Sequence, residues 1–153
     1  MTFNTILSIA TLYWLPDHAT VFKNLAAVLR PGGQFVAECG GTGNAATVRD
    51  ALHALGLERV GIWNFPGPQE TQTLLEAAGF VDVRTWLTPD PASLAPGEEL
   101  ETYLSTVVLG AHLDTIPAEE RQDVVRAVAE RLPRPEVDYV RLNMVARKVQ
   151  LPI

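Results

Sequence analysis

The stretch FNTILSIATLYWLPDHATVFKNLAAVLRPGGQFVAECGG, Phe3 to Gly41, decides the fold. Phe3 to Leu12 is rich in Ile, Leu, Thr and Phe without clean alternation, the pattern of a strand covered on both faces as in a parallel sheet. A parallel neighbour requires a crossover helix, and the next residues supply one. Asp17 is a good N-cap, Val21, Phe22, Leu25, Val28 and Leu29 recur at helical spacing, and Pro31-Gly32-Gly33 stops the helix. Gln34 to Glu38 then reads as a second strand and Gly40-Gly41-Thr42-Gly43 as the loop after it.

Downstream, Asn44 to Leu55 reads as a helix with Ala45, Val48, Leu52 and Leu55 inward and Gly56 as its C-cap. A segment with Trp63, Phe65, Pro66 and Pro68 interrupts the alternation. Gln69 to Ala78 is a further helix closed by Gly79, and Phe80 to Trp86 a strand. Pro89, Pro91 and Pro96 mark a turn region, beyond which Glu98 to His112 and Pro117 to Leu132 are helical. Glu119 and Glu120 suit the first turn of the second of these. In Val137 to Lys148, the apolar residues Val140, Leu142, Met144 and Ala146 alternate with polar ones, as in a half-buried strand. The whole reads as an open, mainly parallel α/β sheet with helices on both faces.

Composition narrows the function classes. With 153 residues the chain can bury roughly 70% of its unfolded surface, enough for a core without disulfides or metal. A net charge of −6 without a basic run argues against nucleic acid and against anionic membrane surfaces. The uncharged opening up to Leu15 lacks the leading positive charge and cleavage site of a signal peptide, and its apolar run is too short to span a bilayer. A single cysteine, Cys39, excludes an internal disulfide and fits a reducing, cytoplasmic setting. His18, His53 and His112 have no ligand spacing, so no metal site is expected, and Cys39 reads as core rather than nucleophile.

The residues of 3–41, with LRPGG at Leu29 to Gly33, resemble the class I S-adenosylmethionine-dependent methyltransferases, from the fourth sheet strand through its helix to the fifth strand. WNFPGPQETQTLLEAAGFVDV at Trp63 to Val83 and VDYVRLNMVARK at Val137 to Lys148 resemble the trans-aconitate methyltransferase-like branch. The resemblance implies a partial doubly wound, Rossmann-like methyltransferase sheet, mainly parallel with an antiparallel final strand. It also implies one domain over residues 1–153 with a helical insertion at 88–136. The family's opening strand, glycine-rich loop and acidic second-strand residue, which hold the cofactor, have no counterpart in these residues. The chain is therefore expected to correspond to the C-terminal, truncated portion of the fold and to be inactive alone. The alternatives are a subunit of a split methyltransferase and a degenerate self-associating module.

Matched position by position, Ser8, Ile9, Ala10, Tyr13 and Trp14 correspond to the family's cofactor-side loop after the fourth strand. Ile9 stands where the family has Asn, and Phe3-Asn4 replaces Phe-Asp. Gly41, Asn44, Trp63 and Asn64 correspond to the substrate side. Tyr13 and Trp14 as a cap on the core, and Trp63 to Phe65 as loop packing, are the structural alternatives. Gly41 to Ala46 also fits G-x-G-x-x-A between a strand and a helix, but the stretch RVGIWNF after the helix lacks the acidic residue that a dinucleotide site needs. No catalytic residue is singled out. S-adenosylmethionine is the cofactor implied for intact relatives, and a small carboxylate the acceptor, with Arg59, Arg84 and Tyr103 available to orient it. Without the first family strand, Phe3 to Leu12 becomes an apolar edge, for which a homodimer or a complementing chain is expected.

Overall fold

The computed structural model describes residues 1–59 and 61–150. The described residues fall into two compact units: 1–44, 63–89 and 140–150 in the first, and 45–59, 61–62 and 90–139 in the second.

The first unit is built on a four-stranded sheet. Its strands are β1 (Phe3–Ile9), β2 (Leu29–Gly40), β3 (Phe80–Pro89) and β6 (Val140–Lys148), in the order β1-β2-β6-β3. β1 and β2 are parallel, and β6 runs antiparallel to both β2 and β3, so the final strand is antiparallel as expected. Helix α1 (His18–Val28) crosses from β1 to β2, and α3 (Pro68–Ala77) precedes β3. Both pack on one sheet face, where Phe22, Ala26 and Leu75 meet Phe35, Ala37, Cys39, Phe80, Leu142, Met144 and Ala146. Phe35 sits between the rings of Phe22 and Phe80 at 6.1 and 5.9 Å. The other face carries the rows Leu7–Val36–Val145–Arg84 and Ile9–Glu38–Asn143–Trp86. Leu7, Ile9 and Trp86 on it are exposed.

Boundaries differ from the sequence expectation where tertiary pairing competes with local signals. β1 ends at Ile9 rather than Leu12, because Ala10 turns into the left-handed region at φ 55° and Leu12–Trp14 form a 3-10 turn. α1 stops at Val28, before Pro31, since Leu29 already pairs with Phe3 as the first residue of β2. Local capping is as read: Asp17 accepts from the Thr20 backbone at 3.0 Å and its hydroxyl at 2.6 Å. These bonds hold the exposed Asp17 carboxyl below its ordinary pKa. The far end of α1 is closed by Lys148, whose Nζ donates to the carbonyls of Ala26 and Leu29, the latter at 2.8 Å. A cation there also complements the helix dipole.

The second unit holds α2 (Ala46–Ala54), a two-stranded ribbon of β4 (Ala92–Ser93) with β5 (Glu136–Val137), α4 (Glu98–Tyr103), α5 (Gly110–Leu113) and α6 (Arg121–Arg131). Val48, Leu52, Leu104, Leu109, Val125 and Val128 are buried in it. The continuous helix expected from Glu98 to His112 is broken by a π turn at Leu104–Val108. Its wider turn lets Leu104, Val108 and Leu109 all be buried while β-branched Val107, a poor helix former, faces solvent. No helix among the described residues is long and apolar enough to cross a membrane.

Candidate functional site

Ligands of open α/β sheets bind beyond the carboxyl ends of the parallel strands. In the first unit three loops meet there. The first leaves β1: Ala10 donates to the Glu38 carbonyl at 2.9 Å, the chain turns, and Leu12 plugs into the core. The buried His18 ring secures this turn, its Nε2–H donating to the Leu12 carbonyl at 2.7 Å. Tyr13 is thereby set against Trp14, ring centroids 4.8 Å apart, and against Phe65 at 5.9 Å.

The second loop carries Trp63, Asn64 and Phe65. Trp63 stacks on Phe65 at 5.6 Å with 27° between planes. Asn64 fastens the loop to the first, its backbone N–H donating to the Tyr13 carbonyl at 2.8 Å and its Nδ2 to the Leu15 carbonyl at 3.1 Å. These residues lie in an extended loop; Val60, within RVGIWNF, lies outside the described residues.

The third loop follows β2. Thr42 N–H donates to the Pro66 carbonyl at 3.1 Å, and the buried Asn44 accepts from Val140 N–H at 2.8 Å. Its glycines serve close packing. A Cβ on Gly40 would lie 2.7 Å from both Asn44 Nδ2 and the Phe65 ring, and one on Gly41 2.7 Å from Leu87 and 2.8 Å from Leu142.

The sequence-derived residues therefore separate by role. Tyr13, Trp14, Trp63 and Phe65 form an aromatic cluster, half-buried except for the exposed Trp14, and Asn44 and Asn64 brace its supporting loops. Ser8 and Ile9 point to opposite faces of the sheet, Ser8 toward the helices and Ile9 to the open face. Arg84 sits in an open-face row, while Arg59 and Tyr103 belong to the second unit, where the Tyr103 and Tyr139 hydroxyls are 2.9 Å apart. Among the described residues no three His, Cys, Asp or Glu side chains gather into a metal-binding set.

The dinucleotide alternative fails for a physical reason in the second unit. A helix N-terminus attracts a phosphate because its N–H groups lack partners. At α2 the place is taken: the Asp138 carboxylate accepts from Thr47 N–H at 3.2 and 3.3 Å and from its hydroxyl at 2.7 Å.

With this geometry in view, likeness to known proteins becomes informative. Residues 1–37 match the methyltransferase domain family. A curated protein of Schizosaccharomyces pombe, described as an uncharacterized methyltransferase, is 31% identical over 114 residues, spanning 56% of this chain and 44% of the relative. Among solved structures, the YcgJ protein of Bacillus subtilis superposes with a TM-score of 0.61 at 12% identity, covering 98% of this chain and 65% of its own. The Haemonchus contortus phosphoethanolamine N-methyltransferase 2, solved with phosphomonomethylethanolamine and S-adenosylhomocysteine, gives 0.55 at 14% identity, over 97% of this chain and 34% of its own. The α/β, Rossmann-like methyltransferase fold expected from the sequence is thus borne out. The chain spans less than two thirds of the length of each of these relatives.

Proposed function

We propose that this chain carries the aromatic wall around the reacting sulfonium of an S-adenosylmethionine-dependent methyltransferase, and that the cofactor's methionine and ribose need holdfasts beyond these 153 residues. The observation that carries the reading is the Tyr13, Phe65 and Trp63 cluster held at the carboxyl ends of β1 and β2 by Asn64. Aromatic faces attract a compact cation, so such a wall suits the sulfonium of the cofactor. Methyl transfer from a sulfonium is an in-line displacement that depends chiefly on positioning. That requirement agrees with a site rich in braced rings. The methyltransferase family match over residues 1–37 and the cofactor product bound by the H. contortus enzyme support the choice of cofactor. The acceptor is a small molecule; a carboxylate follows from the resemblance to the trans-aconitate branch.

Isothermal titration of S-adenosylmethionine into the purified chain, paired with Trp fluorescence, tests the assignment. The expected result is no saturable heat, with weak quenching that Tyr13→Ala removes. Micromolar binding by the lone chain would overturn the incompleteness of the site, and quenching indifferent to Tyr13→Ala would overturn the aromatic wall.

A further inference from the structure

Asn44 closes the loop after β2, and the protein uses only one end of its amide. Oδ1 accepts from Val140 N–H at 2.8 Å, which fixes the orientation of the group, because Nδ2 has no lone pair to offer that donor. Nδ2 lies beside the aromatic wall: a Cβ on Gly40 would meet both Asn44 Nδ2 and the Phe65 ring at 2.7 Å. Phe65 is the ring that faces both Tyr13, at 5.9 Å, and Trp63, at 5.6 Å. Among the described residues Nδ2 donates to no protein group, although Asn44 is only 6% exposed. A polar group so far withdrawn from water loses its hydration without return unless a partner comes to it, so such groups are few and call for a reason.

We propose that Asn44 Nδ2 donates to a carboxylate oxygen of the methyl acceptor and so seats that group beside Phe65. The inference deepens the methyltransferase reading above and rests on it. A hydrogen bond to an ionised oxygen is roughly twice as strong as one to a neutral oxygen, so the amide favours a carboxylate over an uncharged carbonyl. The bond from Val140 holds the amide in place before the acceptor arrives, which lowers the ordering cost of binding. Gly40 belongs to the same arrangement, since any side chain there would collide with the amide and the ring. Asn44 thus has two tasks on its two atoms: Oδ1 braces the loop, and Nδ2 selects the ligand.

Succinate, titrated at constant ionic strength into the isotope-labelled intact chain and followed by NMR, tests it. No cofactor is present, so its failure is distinct from failure of the sulfonium wall, which Tyr13→Ala reports. The side-chain amide protons of Asn44, identified by their loss in Asn44→Asp, are expected to shift saturably with succinate and to stay in place with the uncharged succinamide. Asn44→Asp keeps an oxygen for Val140 N–H but loses the donor. Its affinity for succinate, read from neighbouring backbone amides, is expected to fall on the order of 10- to 100-fold. Should that variant unfold, the contrast between the two probes on the unaltered chain decides. Asn44 amide protons unmoved by succinate, equal shifts with both probes, or undiminished affinity in folded Asn44→Asp would each overturn the proposal.

Discussion

Cys39 is fully buried in β2, and its thiol is pushed up to about 12, chiefly by burial, with the adjacent Glu38 carboxylate adding and Arg141 opposing. The thiolate is the reactive form, so native protein at about pH 8 should resist a thiol reagent, with labelling orders of magnitude faster in denaturant. Fast native labelling would show that β2 opens readily. The sequence already marked Cys39 as core because an apolar strand surrounds it. The neighbouring glycines and asparagines were less legible. Gly41, Asn44 and Asn64 read as substrate-side positions, and the structure adds a packing role to each: Gly41 makes room for Leu87 and Leu142, and the two amides hold backbone groups of Val140 and Leu15. A small or polar residue in a loop does not announce in sequence which backbone groups it will hold.

Caps separate what is local from what is not at the scale of an element. Asp17 capping Thr20 is written within one turn of chain, and it was readable from the sequence. The cap on α2 comes from Asp138, 91 residues away, and no local signal announces it, because Ala45 at the N-cap position has no side-chain acceptor. Asp138→Ala should cost about 1–2 kcal/mol in urea unfolding, the usual loss for a side-chain cap, while Asp138→Asn, which keeps an acceptor, should lose less. Equal losses for the two would mean that the carboxylate charge, rather than the hydrogen bond, holds the helix. Lys148 at the end of α1 is a second distant cap, 119 residues from Leu29. The break of the Glu98–His112 stretch was likewise hidden, since a π turn is chosen by which side chains the surrounding unit can bury.

At the scale of the whole molecule, stability should depend on pH through His112, buried in the second unit. Burial holds this imidazole below its ordinary pKa, aided by Arg59 and opposed by Glu58. The unfolded chain then takes up the proton before the folded one does. Stability is therefore full above the ordinary imidazole value of about 6.5 and falls as pH drops from there toward the lowered folded value. Urea midpoints measured between about pH 7.5 and 5.5 should decline, and His112→Gln should flatten that decline. A profile unchanged by the substitution would assign the slope to other groups. Legible in the residues alone were the alternation of strands and helices, the Val21, Phe22 and Leu25 stripe of α1 though not Val28, which is exposed, the inward residues of β6 and the Asp17 cap, because each follows from periodicity or contacts within a few residues. The order β1-β2-β6-β3, the contact of Tyr13 with Phe65 and the caps from Asp138 and Lys148 emerge with the packed fold. Those choices join residues far apart in the chain, and they are made by competition among packings of buried faces and by the need of each buried polar group for a partner.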